Sequence, residues 1–298
     1  MITREMPRRL SGHGPLFGQR RSLLVLTLTL MLVLAATAPA WAASQYVSLG
    51  DSYAAGPLIP LQVPPFGCLK SNNNYANLTA RNLGLELTDP SCSGAETEDM
   101  TSPQNVDPDG PNPPQFNSLT KQTRIVTLQI GGNDIGFSSI GRDCSSTTNQ
   151  GTPCQDRYVH DGRDEISERI QATAPLVDAV LHGIRARSPK ARVFVVNYAA
   201  ILPDEGPGCW PQMPVTDGDV PYVRAKEKEL NAMLATEAAA AGAELIDWYA
   251  ASIGHDACQP PVIRWVEPVV PVNAAAPVHP NLGGMIGVSE LLSAALSR

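Results

Sequence analysis

Three short segments hold the residue types that an alcohol-based acyl transfer needs. Ser52 follows Gly50 and Asp51. A serine becomes a nucleophile when a tight turn exposes its oxygen, a base stands beside it, and donors await the charge forming on the attacked carbonyl. Gly131-Gly132-Asn133-Asp134 offers such donors, since glycines permit close main-chain approach and the Asn133 amide carries two N–H groups. His279, in His279-Pro280-Asn281, can take and return a proton near neutral pH. Each segment also has an ordinary use. Gly-Asp-Ser often caps a helix, Gly-Asn and Asn-Asp make turns, and a lone loop histidine is usually just exposed.

Their value depends on the elements that carry them. Residues 45–50 read as a short buried strand running straight into Asp51-Ser52, and the apolar, β-branched run 124–130 reads as a central strand ending at Gly131-Gly132. Further strands are expected at 85–87, leading to Ser91-Cys92-Ser93-Gly94, and at 191–197 and 243–248. Helices are expected at 74–83, ending on Gly84, and at 164–187, 223–241 and 282–296, with polar loops at 101–117 and 203–221. Strands alternating with helices imply an α/β domain with a parallel sheet covered on both faces. In such sheets chemistry gathers at the carboxyl edge of the strands, which puts Ser52, Gly94 and Asn133 on one edge.

Composition removes several classes of function. The 298 residues are 43% hydrophobic and 17% charged, globular values that exclude wholesale disorder and fibrous repeats. The net charge of −7 understates the acidity, because the first 42 residues hold five Arg and one acid. The other 256 residues carry 17 basic and 28 acidic side chains, net −11, so phosphate backbones and anionic lipids are repelled and nucleic acid is not an expected partner.

The basic start belongs to a three-part pattern: Arg20-Arg21, an uncharged run from Leu23 to Ala36, then Ala38-Pro39-Ala40-Trp41-Ala42. This predicts a signal peptide over 1–42, a secreted mature domain over 43–298, and no lasting membrane anchor, since the apolar run is shorter than the ~20 residues of a spanning helix. All six cysteines lie beyond residue 42. An oxidising compartment would pair them, and loop proximity favours Cys144 with Cys154, Cys68 with Cys92, and Cys209 with Cys258. No Cys-x-x-Cys or His-Glu-x-x-His spacing occurs, so no metal and no cofactor are expected.

Taken in order along the mature chain, Gly50-Asp51-Ser52, Gly94, Gly131-Gly132-Asn133-Asp134 and His279-Pro280-Asn281 resemble the GDSL, or SGNH, hydrolases. The cysteine positions, Arg264-Trp265-Val266-Glu267-Pro268 and Pro277-Val278-His279 are similar to those of secreted actinobacterial lipases and esterases. The resemblance implies a three-layer α/β/α, flavodoxin-like fold with a five-stranded parallel sheet in the order 2-1-3-4-5. It implies Ser52 as nucleophile and His279 as base, with an oxyanion hole made of Ser52 N–H, Gly94 N–H and the Asn133 amide.

One position departs from the commonest family pattern, which has an Asp three residues before the histidine. Ala276 stands there. By resemblance to relatives that use a main-chain carbonyl, the Ala276 C=O is expected to accept the His279 Nδ1–H bond, giving a Ser-His dyad; a carboxylate from Asp256 or Glu267 is the rival. The expected function is a secreted serine esterase or lipase acting on a small-molecule or lipid ester through an acyl-enzyme, as a monomer. A carbohydrate acetylesterase or phospholipase on the same scaffold, and a catalytically silent binding domain, are the alternatives. Trp265 and the apolar residues between Val262 and Val272 precede the base and are candidates either for an acyl pocket or for ordinary packing.

Overall fold

The computed structural model describes residues 45–298, and the segment read as a signal peptide lies outside them. Five strands, Gln45–Gly50 (β1), Glu86–Thr88 (β2), Ile125–Gln129 (β3), Arg192–Val196 (β4) and Glu244–Ile246 (β5), form one parallel sheet in the order 2-1-3-4-5. The three central strands are buried along nearly their whole length, which is why they read as continuous apolar runs and not as alternating ones. β2 lies at the edge and is largely exposed.

The helices are Ser52–Ala55 (α1), Tyr75–Leu83 (α2), Phe137–Asp143 (α3), Pro153–Tyr158 (α4), Glu165–Arg187 (α5), Val220–Ala240 (α6), Trp248–Ala251 (α7) and Leu282–Leu296 (α8). From β1 the chain crosses to β2 on one side, then returns and proceeds through β3, β4 and β5 on the other. Right-handed crossovers therefore put α2 on one face and α5 and α6 on the opposite one. The packing agrees, with α2 against α8 and α5 against α6. The result is the expected three-layer α/β/α arrangement. Its direction reverses between β1 and β3, and their carboxyl ends define the crevice where ligands bind in such sheets.

Local chemistry sets the ends of the elements. Asn74 caps α2 by accepting Asn77 N–H at 3.0 Å, and Gly84 ends it at φ +64°. Asp164 caps α5, accepting from Ile166 N–H and Ser167 N–H. Two boundaries differ from those expected by more than one residue. α6 begins at Val220, inside the segment read as loop, because Pro221 falls in its first turn, where no N–H is needed. The last strand stops at Ile246 because Asp247 accepts Ala250 N–H and starts α7 there. The segment read as loop 101–117 also carries a small antiparallel ladder, Gln104–Val106 with Gly110–Asn112. Disulfides join Cys68 to Cys92, Cys144 to Cys154 and Cys209 to Cys258, the pairs that loop proximity favoured.

Candidate active site

β1 ends against β3 at a contact that only glycine allows. Gly50 has φ +151°, and a Cβ there would lie 2.4 Å from the Gln129 carbonyl oxygen. The buried Gln115 amide brackets the same residue, accepting from Gly50 N–H (2.8 Å) and donating to Gly50 C=O (2.9 Å). Asp51 N–H donates to Gln129 C=O, and the Asp51 carboxylate accepts Tyr53 N–H at 2.8 Å. Asp51 is thus the N-cap of α1 and Ser52 its first residue, at the carboxyl edge of the sheet.

A buried bridge links this turn to the glycine-rich segment after β3. Tyr198 Oη donates to Asp51 Oδ2 at 2.5 Å and accepts Gly132 N–H at 2.8 Å. Gly132 leaves room for it, since a Cβ there would come within 3.0 Å of the Tyr198 ring. Burial pushes the Asp51 carboxyl up to about 7 against the opposing pull of the Tyr198 hydroxyl.

The loop carrying Gly94 is tied to both sides. Cys92 N–H donates to Gly50 C=O (3.0 Å), and the Cys68–Cys92 disulfide holds the same loop. One Asn133 Nδ2 hydrogen is used on Ala95 C=O (2.9 Å), and the neighbouring Asp134 accepts from Thr97 N–H at 3.0 Å. Neither Ser52 N–H nor Gly94 N–H donates a hydrogen bond among the described residues, so both are free for a ligand.

His279 reaches this cluster from the loop before α8. Its Nε2 lies 2.8 Å from Ser52 Oγ, and its Nδ1 lies 2.8 Å from the Pro277 carbonyl oxygen. A carbonyl can only accept, so Nδ1 carries the hydrogen and Nε2 presents its lone pair to the Ser52 hydroxyl. Burial holds the imidazole below its ordinary pKa, with the Pro277 carbonyl pulling the other way.

The carbonyl on Nδ1 therefore belongs to Pro277 and not to Ala276. The Ala276 C=O is taken by His279 N–H (3.2 Å), which closes a turn with Pro277 second and Val278 third. Val278 sits at φ +57°, a left-handed conformation costly for a β-branched residue. Its carbonyl accepts the hydroxyl of buried Tyr53 at 2.9 Å, so the residue after Ser52 anchors the turn that carries the imidazole.

Neither candidate carboxylate reaches that ring. Asp256 is buried, accepting from Cys258 N–H and Gln259 Nε2. Glu267 accepts from Val272 N–H, Asn273 N–H, Asn273 Nδ2 and Asn281 Nδ2, bracing the loop and the N-cap of α8. Hydrogen bonds from these amides hold its pKa down against burial, which alone would raise it. Tyr53, Tyr198 and Gln115 were not among the expected site residues. Tyr198 follows β4 by two residues, so the carboxyl-edge rule pointed to its position.

Two apolar cavities flank the imidazole. A small one, ≈ 80 Å³, is lined by Ser52, Asn133, Ile135, Ile166 and Leu230; a larger one, ≈ 300 Å³, by Leu202, Met213, Val215, Val269 and Val278. His279, Phe137, Ile140, Ile201 and Val223 border both. Of the apolar stretch before the base, Val269 lines the larger cavity, whereas Trp265 stacks on His255 and packs beneath Gly284 and Gly287 of α8.

Residues 48–285 match the GDSL-like lipase/acylhydrolase family. The chain is 38% identical over 274 residues to Lipase 2 of Streptomyces coelicolor, covering 90% of each chain. Two solved structures align along most of its length, each with a TM-score of 0.70 and 26% identity. Phospholipase A1 from Streptomyces albidoflavus covers 86% of this chain and 100% of its own, and the extracellular lipase from Streptomyces rimosus covers 85% and 100%.

The raised Asp51 pKa carries a definite sign. Its folded value exceeds the ordinary 3.8, so its contribution to stability is complete below that value and is lost as pH rises through about 7. In urea unfolding, the free energy is expected to fall between about pH 5 and about pH 8, and less steeply in Asp51→Asn. Equal slopes for the two proteins would mean that Asp51 is already ionised throughout.

Proposed function

The chain belongs to the GDSL-like lipase/acylhydrolase family, and from that premise we propose that it is a secreted serine hydrolase of carboxylic esters working through a Ser52-His279 dyad. The observation that carries the reading is the pair of 2.8 Å contacts on one imidazole, Nε2 to Ser52 Oγ and Nδ1 to a carbonyl that fixes the tautomer. Ser52 Oγ attacks the ester carbon as His279 Nε2 takes its proton. The negative oxygen is met by Ser52 N–H, Gly94 N–H and the second hydrogen of Asn133 Nδ2, each donor worth ~2.7 to 4 kcal/mol of barrier. The C–O bond then breaks as Nε2 protonates the leaving alcohol. Water, deprotonated by the same nitrogen, releases the acid from the acyl-enzyme.

The Pro277 carbonyl orients the ring but supplies no full negative charge, so the imidazolium formed during attack is stabilised less than beside a carboxylate. The apolar walls favour a hydrocarbon acyl chain over the acetyl group of a sugar ester. The basic and apolar residues of 1–42 and the three disulfides support export through a cleaved signal peptide.

Three outcomes test the reading. Ser52→Ala is expected to lower hydrolysis of a water-soluble chromogenic ester by roughly 10⁴-fold or more, while Asp256→Asn leaves turnover nearly unchanged. Equal rates for Ser52→Ala and its parent would remove Ser52 as nucleophile; a large loss in Asp256→Asn would restore a carboxylate to the mechanism. The acid limb of the pH–rate profile is expected below the ordinary imidazole value of ~6.5, since burial favours the neutral ring. A profile flat down to about pH 4 would exclude an imidazole base. Tyr53→Phe frees the Val278 carbonyl, and kcat is expected to fall between about tenfold and about 100-fold with KM little changed. An unchanged kcat would show that the turn holds the ring without Tyr53.

A further inference from the structure

Two loops beside the base expose large apolar side chains and carry no charge where they do so. Residues 57–61, directly after the nucleophile turn, expose Leu58 (51%) and Leu61 (65%). Residues 260–263 and 268–278 contain no charged side chain and expose Val262 (93%), Val270 (77%) and Val272 (68%). The two charged residues between them, Arg264 and Glu267, are buried.

These side chains share one edge of the molecule. Asn273 Nδ2 donates to Pro261 C=O (2.9 Å), bringing Val262 beside Val272, and Ala276 N–H donates to Pro57 C=O (3.0 Å), bringing Leu58 beside the same loop. Glu267 holds the loop in shape by accepting from Val272 N–H and Asn273 N–H. The edge is thus a braced apolar surface whose valines point outward although the loop is tied from within.

The surface is continuous with the site. Val269, itself exposed, is a wall of the larger cavity that extends to Val278 and His279, so that cavity opens among these residues. We propose that this apolar rim docks on a neutral or zwitterionic lipid surface, from which an acyl ester passes into the cavity beside His279. The inference rests on the ester-hydrolase reading and specifies how the substrate is presented, as a molecule in a lipid layer and not as a free solute.

Two features select this occupant. A second copy of the chain seated on the rim would cover the opening beside Val269, whereas a lipid layer buries the exposed valines and leucines and also delivers an ester to that opening. The charge argues for a neutral layer. Residues beyond 42 carry net −11, and the exposed loops offer no Lys or Arg to an anionic headgroup.

The test separates docking from chemistry. Ser52→Ala protein is sedimented with phosphatidylcholine vesicles, alone and with the pair Val270→Asp and Val272→Asp added, and with the milder pair Val270→Ser and Val272→Ser. Thermal unfolding of each variant verifies its fold. The expected result is binding to phosphatidylcholine, no gain on adding phosphatidylglycerol, and a loss of about tenfold or more in the Asp pair with a smaller loss in the Ser pair. Absence of binding, binding that neither pair weakens, binding that requires the anionic lipid, or a dimer in light scattering that the Asp pair dissolves would each overturn the proposal. The parent protein's rate on a water-soluble ester reports the ester-hydrolase reading alone, so failure of one leaves the other standing or falling on its own data.

Discussion

The site depends on how closely β1 and β3 approach at their carboxyl ends. With Gly50 against the Gln129 carbonyl, the turn at Ser52 and the turn at Gly132 come near enough for a single side chain, Tyr198, to hydrogen-bond both. A serine turn of four helical residues has no stability of its own, because helix nucleation is unfavourable and α1 is far too short to offset it. Its geometry is imposed from outside, by Gln115 on Gly50, by Tyr198 on Asp51 and by Tyr53 on the imidazole loop. Burying Asp51 carries the cost of desolvating a carboxyl, and the raised pKa is that cost expressed as a proton. A neutral Asp51 still accepts the Tyr53 N–H and one hydroxyl, so the turn survives protonation in form.

The His279 imidazole, the proposed base, is built with little electrostatic help. A carboxylate on Nδ1 would orient the ring and raise its proton affinity together. The Pro277 carbonyl orients the ring and raises its proton affinity only with a dipole, and burial outweighs that pull and lowers the pKa. Such an imidazole is a weaker base that stays neutral in more acidic surroundings. On the proposed mechanism its barrier lowering comes more from the oxyanion donors and from orientation, and the strained Val278 and the buried Tyr53 hydroxyl supply that orientation around one turn. The acids that could have served are committed elsewhere, Asp256 to its own loop and Glu267 to the N-cap of α8.

Much of this was readable in the residues. The apolar runs 45–50, 124–130 and 191–197 became the central strands because strands buried on both faces must be apolar throughout, and Gly84 ended α2 where expected. The cysteine pairs followed from loop proximity. What sequence spacing could not supply was the conformation of the Ala276–His279 turn. Whether an imidazole meets the carbonyl two or three residues before it depends on whether the third position adopts φ > 0, and valine gives no sign of doing so. The carboxyl-edge rule pointed to the position of Tyr198 but not to its bridging role, and Gln115 gave no signal at all, since each joins segments more than sixty residues apart and an isolated Tyr or Gln carries no motif. The segment 1–42, read as a signal peptide, lies outside the described residues.

The apolar loops next to the base connect these points. A hydrolase that cleaved a free, hydrophilic ester would gain nothing from exposing seven large aliphatic side chains around its opening, and every one of them adds to the risk of aggregation. Glu267 spends four hydrogen bonds on holding that loop and the N-cap of α8, and its own main-chain N–H donates to His279 C=O at 2.9 Å. The apolar loop and the His279 imidazole are therefore tied to one buried residue, and the position of the one constrains the position of the other. A carboxylate recruited to Nδ1 would have had to leave this role, freeing the loop that shapes the opening. Orienting the ring by a carbonyl leaves Glu267 available to brace the loop that forms the proposed apolar rim.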